Sequence, residues 1–136
     1  HIGRINLEVL QKCLGDAPTE LYHMMIFVFD YCTQRLQDRS ADPAEQDKNR
    51  DLLHNALWLV GRYVINNEAN QRSLVSGLDM TLLARLTALP IQYFVQEKFK
   101  KILFPTLIAA VHNNKQNLAL IRVHFLLQVS VLSFYM

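Results

Sequence analysis

Apolar side chains recur along most of the chain at intervals of three and four residues, the spacing of amphipathic helices. One such stripe comprises Leu53, Ala56, Leu57, Val60 and Val64. Between Leu21 and Cys32 almost every side chain is apolar, which predicts a helix that is buried on all sides. Residues 123–131 alternate with period two, but no other strand is predicted and we interpret them as helix. The pattern therefore predicts an all-α protein of roughly six to eight helices.

Turn and capping residues predict where the first helices begin and end. Gly15 is expected to end the first helix in a left-handed conformation, and Thr19 is expected to cap the second. Residues 38–42 are predicted to form a polar loop. Asp42 and Glu45 then have the spacing of a capping box, which predicts the start of a long helix.

The same signals continue through the second half of the chain. The long helix is predicted to end near Asn66, and Gly61 inside it is expected to let a neighbouring helix approach closely. Asp79 is predicted to cap a later helix. Residues 91–101 are predicted to form one helix, and Pro105 to break or kink the pattern that follows.

A five-residue pattern occurs twice in the chain. Asn66-Asn67-Glu68-Ala69-Asn70 recurs as Asn113-Asn114-Lys115-Gln116-Asn117, an offset of 47 residues, with apolar positions aligned around both copies. Armadillo and HEAT repeats have periods of about 40–47 residues. Asn suits a break between helices because its side chain bonds local backbone and tolerates left-handed geometry. The repeat predicts that residues 1–136 form a single armadillo/HEAT-like right-handed helical array, a partial solenoid.

Around Trp58 the chain resembles an armadillo repeat of the importin-α type. In that family the third helix of each repeat carries a Trp and, one turn later, an Asn, and the stacked pairs line a groove for basic peptides. Here Trp58 is present but Arg62 stands one turn later, and Pro105 and Ala109 take these places in the second copy. The resemblance therefore implies the solenoid shape without the Trp–Asn ladder.

Composition and charge narrow the classes of function. The chain is 51% hydrophobic with a formal net charge of +2, which disfavours both disorder and strong electrostatic binding of nucleic acid. Residues 90–136 nevertheless contain one acid and five bases, a local net charge of +4. Basic residues beside aromatic residues in the region 93–115 suggest an alternative function as an RNA-contacting helical module.

The residues of common catalytic and metal sites do not occur in the required patterns. The four glycines are isolated, the five histidines form no i, i+4 pair, and no nucleophile motif occurs. Cys13 and Cys32 lie in apolar helical stretches and are interpreted as buried thiols. We expect no enzyme activity, cofactor, metal or small-molecule substrate. We also expect no membrane span, because Arg122, His124 and Gln128 interrupt the apolar stretch 118–136.

Residues 98–110, together with Asn113, Asn114 and Asn117, resemble the C-terminal region of the S phase cyclin A-associated protein family of the endoplasmic reticulum. The resemblance implies a cytoplasmic scaffold, associated with the endoplasmic reticulum, that engages cyclin A with its kinase and the messenger-RNA deadenylase machinery. The nucleus is an alternative location. Residues 121–136 form a more apolar tail than the family would have, which suggests an atypical end. Because the chain starts without Met, we expect it to be a fragment of a longer protein.

Three segments match the spacing of a cyclin-docking peptide, in which a basic residue is followed two and three residues later by Leu and an apolar residue. They are Arg50-Asp51-Leu52-Leu53, Arg72-Ser73-Leu74-Val75 and Lys101-Ile102-Leu103-Phe104. A docking peptide must be extended and exposed, whereas these Leu residues are predicted to face the core. We therefore do not expect them to dock as they stand.

The sequence favours a non-catalytic scaffold segment that binds protein partners on the surface of stacked helices. The candidate partner-binding residues combine an aromatic side chain with nearby positive charge. They are Trp58, Arg62, Lys98, Lys100, Lys101 and Lys115.

Overall fold

A computed structural model describes residues 2–77 and 80–135, with side chains for 7–77 and 80–127. It contains eight helices and, over the described residues, no strand. In chain order they are α1 (Ile2–Gly15), α2 (Pro18–Gln37), α3 (Pro43–Val64), α4 (Glu68–Ser73), α5 (Leu82–Thr87), α6 (Gln92–Val95), α7 (Glu97–Val111) and α8 (Lys115–Tyr135). The predicted all-α class is confirmed, whereas the armadillo-like arrangement stays a prediction.

The long helix α3 lies at the centre of the molecule and packs against α1, α2 and α7. Its predicted apolar stripe is buried throughout. Phe29 of α2 and Leu103 of α7 meet Leu53 and Leu57 of α3 in one hydrophobic core. Each fully buried Leu or Phe contributes about 1.5–3 kcal/mol of transfer free energy, so this core holds the three helices together.

Each of the two Asn–Asn pairs ends a helix in the same way. Asn66 follows α3 with φ of 52°, and Asn113 follows α7 with φ of 53°. Asn67 Oδ1 accepts a hydrogen bond from Asn70 N, and Asn114 Oδ1 accepts one from Asn117 N, each at 3.0 Å. The two helix breaks predicted from the repeated sequence are therefore confirmed, and each is stabilised by its own Asn side chain.

Amide side chains also join neighbouring helices in a repeated pattern. Gln11 Nε2 donates to the carbonyls of residues 62 and 65 at the end of α3, at 3.0 and 2.7 Å. Gln71 Nε2 donates to the carbonyls of residues 109 and 112 at the end of α7, at 2.9 and 3.0 Å. These two acceptor pairs differ by the same 47 residues as the repeat. We call Gln11, Asn70, Gln71, Asn114 and Asn117 the amide seam.

The asparagines of the seam repeat this relationship. Asn70 Nδ2 donates to the carbonyls of Tyr63 and Gln11, at 2.8 and 3.3 Å. Asn117 Nδ2 donates to the carbonyls of Ala110 and Gln71, both at 3.0 Å. Each asparagine thus joins its own helix to the helix before the turn. It also joins that helix to the backbone carbonyl of the preceding glutamine of the seam. The α1–α3 pair and the α4–α7 pair are therefore joined by equivalent hydrogen bonds.

Several helix starts and ends differ from their predictions. Gly15 lies within α1 and has no positive φ; among the described residues Gly77 is the glycine with one, 111°. Ala17, not Thr19, is the N-cap residue of α2, because Pro18 occupies the first helical turn. Asp42 does precede α3, but its side chain makes no capping hydrogen bond. Propensity located these boundaries to within a few residues without determining which group caps them.

The predicted loop at 38–42 is confirmed, and side chains tie it to the adjoining helices. Gln46 Nε2 donates to the carbonyls of Arg35 and Asp38, at 2.9 and 2.8 Å. Hydrogen bonds from the hydroxyl and the backbone N–H of Ser40 hold the pKa of Asp38 below its usual range. Gln46 thus holds the end of α2 against the start of α3.

The region between the two Asn turns also departs from expectation. Thr81 caps α5 by accepting a hydrogen bond from Ala84 N at 3.1 Å, whereas Asp79, the predicted cap, lies outside the described residues. Residues 91–101 form two helices instead of one, separated by extended backbone at Gln96. Pro105 does not break α7, because proline removes a single hydrogen bond and the buried face of the helix continues past it.

Burial differs from prediction on the amphipathic and apolar stretches. In α2, Phe27 is 68% exposed and Met24 is also exposed, so this helix is not buried on all sides. Cys32 is buried, which raises the pKa of its thiol, but Cys13 is exposed. The C-terminal stretch is helical as predicted, in α8, and Met136 lies outside the described residues. Among the described helices, none combines the length and apolarity needed to cross a bilayer.

Candidate protein-binding groove

An open groove of about 540 Å³ runs between α3 and α7. We call it the α3–α7 groove. Its lining is contributed by one face of each helix and comprises His54, Asn55, Trp58, Gly61, Arg62, Ile65, Lys101, Ile102, Pro105, Thr106 and Ala109. The two series follow the three-and-four-residue spacing of a helix face, so two regular helices suffice to build this surface.

The floor of the groove depends on a close approach between the two helices. A Cβ atom on Gly61 would lie 2.9 Å from Thr106 Oγ1 and 3.5 Å from Thr106 Cα. Thr106 cannot easily yield, because it is buried and its hydroxyl donates a hydrogen bond to the carbonyl of Leu57 at 2.7 Å. The predicted role of Gly61 in close helix packing is confirmed.

Trp58 forms one wall of the groove and is not a core residue. Its side chain is 57% exposed, and the Arg62 guanidinium lies over its ring at 5.0 Å from the centroid. Trp58 is exposed because it lies on the face of α3 opposite the stripe that packs into the core. Such an exposed aromatic beside a cation is typical of a binding surface.

Positive charge in the groove has no counterpart within it. Arg62 and Lys101 both line the groove, and the lining contains no Asp or Glu. Neither cation makes an ion pair with any carboxylate in the part of the chain whose side chains are described. Three of the six predicted residues, Trp58, Arg62 and Lys101, are thus brought together.

The other three predicted residues lie outside the groove. Lys98 Nζ lies over its neighbour Phe99 at 4.8 Å, and Lys100 Nζ pairs with Glu97 Oε1 at 2.9 Å. Lys115 is exposed at the first position of α8. The structure therefore divides the predicted set into a groove cluster and three peripheral lysines.

Several groove residues were missed from the sequence. His54, Asn55 and Ile65 lie three, four or seven positions from Trp58, and Ile102 lies beside Lys101. Helical spacing from Trp58 could have identified the first three. The opposing wall was not predictable in this way, because it depends on how α7 packs against α3.

One end of the groove contacts an aromatic cluster. His54 Nε2 and the Tyr93 hydroxyl lie 2.7 Å apart in a hydrogen bond, and both rings contact Phe99. Burial lowers the pKa of His54, against a smaller raising effect of Asp51. Burial raises the pKa of Tyr93 to about 12. The pair is therefore neutral near pH 7, as its buried setting requires.

The three cyclin-docking matches are helical or lie at a helix end. Residues 50–53 are inside α3 and 101–104 are inside α7, while 72–75 span the end of α4. Leu74 and Leu103 are buried as expected, but Leu52 is exposed, contrary to expectation. Exposure of Leu52 does not supply the extended backbone that a docking peptide requires.

The described side chains contain no group of three His, Cys, Asp or Glu residues that could hold a metal ion.

Comparison with known proteins gives one relevant similarity. Over 66 residues, 48% of the chain, the sequence is 46% identical to the human protein named S phase cyclin A-associated protein in the endoplasmic reticulum. The resemblance predicted from residues 98–110 is thereby confirmed. The matched part spans 5% of the length of that human protein. No family model matches the chain.

Proposed function

We propose that this chain is a non-catalytic protein-binding module in which the α3–α7 groove takes a segment of a partner protein. The observation that carries the proposal is the groove itself. It presents an exposed aromatic side chain and two cations that pair with no carboxylate among the described side chains, on two closely packed helices. Exposed aromatic and Arg side chains are the residue types that contribute most to protein interfaces.

We further propose that the helices form an armadillo-like right-handed array. The support is the amide seam, which joins α1 to α3 and α4 to α7 by equivalent hydrogen bonds. A unit that repeats its inter-helix bonds at a constant offset can stack into an extended surface. In such an array the α3–α7 groove would be part of a longer binding face.

The partner class proposed here follows from the similar human protein. Its name states that it associates with cyclin A and is found in the endoplasmic reticulum. We propose that this chain contributes to a scaffold that engages cyclin A with its kinase, on the cytoplasmic side of the endoplasmic reticulum. Binding of the messenger-RNA deadenylase complex is a further proposal, made from the resemblance alone.

The alternative function as an RNA-contacting module has weaker support. Stacking of bases requires an accessible aromatic face beside the cations. Phe99 is partly buried, packs on Tyr93 and His54, and is covered by Lys98. Lys100 is already paired with Glu97. These contacts leave the region 93–101 poorly suited to single-stranded RNA.

The test is affinity capture from nuclease-treated cell lysate with the immobilised chain, followed by identification of cyclin A, its kinase and deadenylase subunits by mass spectrometry. Wild type is compared with Trp58→Ala and with Phe27→Ala, an exposed aromatic in α2 away from the groove. We expect the named proteins to be retained by wild type and Phe27→Ala and lost with Trp58→Ala.

Two outcomes would contradict the proposal. Equal capture by all three forms would place binding outside the groove. Loss of every partner on nuclease treatment would favour the RNA alternative, and affinity for RNA would then fall steeply with added salt.

A further inference from the structure

We infer that the segment bound in the α3–α7 groove is an acidic stretch of polypeptide, with Glu or Asp side chains flanking an apolar side chain. This inference rests on the proposed protein-binding function and specifies the chemistry of the partner. It is carried by two features of the groove: its charge and its apolar surface.

The charge of the groove is one-sided. Arg62 and Lys101 lie on opposite walls, and no carboxylate lines the space between the helices. The nearest pairing that Arg62 makes is with the ring of Trp58, which leaves its N–H groups directed to no acid in the described part of the chain. Guanidinium groups bind carboxylates through paired N–H donors, so an acidic side chain would complete this site.

The groove also presents apolar surface beside the cations of both helices. Trp58, Ile65 and Ile102 present carbon-rich side chains to the groove, and Trp58 and Ile65 are exposed. An occupant that carries charge alone would leave this surface in contact with water. A segment that alternates acidic and apolar side chains buries it while its carboxylates reach the rims.

The sole tryptophan of the chain supplies a direct assay. Because Trp58 lines the groove, its fluorescence reports occupancy at this position. The probes are three short synthetic peptides without Trp, each with a central Leu pair flanked by Glu, Gln or Lys. We expect the Glu peptide to change Trp58 emission and to bind about tenfold more tightly than the Gln peptide, with no saturable change from the Lys peptide.

Charge-reversal variants test whether the cations of the groove are responsible. Arg62→Glu and Lys101→Glu should each lower the affinity for the Glu peptide about tenfold. Each should also allow the Lys peptide, which the wild-type chain does not bind, to bind measurably. Lys115→Glu makes the same change of charge outside the groove and should alter affinity less than twofold. Circular dichroism of each variant confirms that the helices persist.

The outcomes separate this inference from the proposed function. Equal affinity for the Glu and Gln peptides, or equal weakening by Lys115→Glu and Arg62→Glu, would overturn the preference for acidic partners. If Trp58→Ala still abolished capture of partner proteins, the binding function would stand and only its charge specificity would be wrong. If capture did not depend on Trp58, the proposed function itself would fail, whichever peptide bound.

Discussion

The amide seam and the α3–α7 groove both place polar side chains beside α3 and α7, yet they differ in what those side chains contact. In the seam, Gln71 is 2% exposed and Asn117 is 0% exposed, and their N–H groups donate to backbone carbonyls of the same chain. In the groove, Trp58 is 57% exposed and the two cations have no acidic partner within the described residues. The seam contributes to folding, and we propose that the groove takes a partner.

One buried polar atom of the seam has no hydrogen-bond partner among the described residues. Asn117 Oδ1 is buried and makes no hydrogen bond among the described residues, although the Nδ2 of the same side chain makes two. A buried acceptor without a donor costs free energy. The two donated bonds tie α8 to both α7 and α4, which offsets this cost.

The largest effect is expected from Gln71→Ala. It removes the donor to two carbonyls at the end of α7 and the acceptor for Asn114, so we expect unfolding free energy to fall by about 3 kcal/mol. Urea denaturation measures the change.

Gln11→Ala provides the matched control, because Gln11 makes the same pair of bonds at the more accessible end of α3. Water can replace those bonds, so the cost should be about 1 kcal/mol. An equal loss of unfolding free energy in the two variants would show that burial does not make the Gln71 bonds stronger than the Gln11 bonds.

The next effect concerns the close approach beneath the groove. Gly61→Ala should destabilise the fold by about 1–2 kcal/mol, because contact with Thr106 outweighs the better helix propensity of Ala. Thermal and urea unfolding would measure it. In a Thr106→Ala background the same substitution should cost less, and a stabilising effect in both backgrounds would contradict the packing described.

A pH effect is expected from His54. Because burial lowers the pKa of His54 below the ordinary histidine value of 6.5, the unfolded chain takes up this proton at higher pH than the folded chain does. Stability should therefore fall as the pH is lowered from about 7 through 6.5 and below. Urea unfolding across this range measures the slope. His54→Gln should flatten it, and an unchanged slope in the variant would assign the effect to other groups.

The smallest effect on stability is expected from Trp58→Ala. With more than half of the side chain exposed, the loss should be below about 1 kcal/mol, instead of the about 3–5 kcal/mol typical of a buried aromatic. Phe27→Ala in α2 should behave similarly. A large loss on Trp58→Ala alone would mean that the groove wall is part of the core.

Several local signals in the sequence predicted the structure correctly, although the caps expected at Gly15, Thr19 and Asp42 did not form. The left-handed turns at Asn66 and Asn113 depend on the conformational tolerance of a single residue and were predicted correctly. Gly61 was likewise identified from its position inside a helix. The apolar stripe of α3 was predicted in full because its spacing is regular.

The exposure of side chains and the hydrogen bonds between helices were predicted poorly, because both depend on which helices pack against each other. Trp58 and Phe27 are apolar, but their exposure is decided by the arrangement of α2, α3 and α7, which spacing alone does not give. Gln11 and Gln71 join the helices through backbone carbonyls, which carry no sequence signal. Three of the six predicted binding residues therefore line the groove, but apart from Lys101 the α7 wall was found only in the structure.

We propose that the α3–α7 groove contacts a protein partner and that the face of α2 around Phe27 does not. The most direct measurement replaces Trp58 with a photo-crosslinking benzoylphenylalanine, exposes the chain to cell extract, and identifies the crosslinked species with and without nuclease. The same replacement at Phe27 is the control. We expect nuclease-resistant protein crosslinks from position 58 and none from position 27, with acidic segments at the attachment point. Crosslinks of equal yield from both positions, or crosslinks to RNA from position 58, would contradict it.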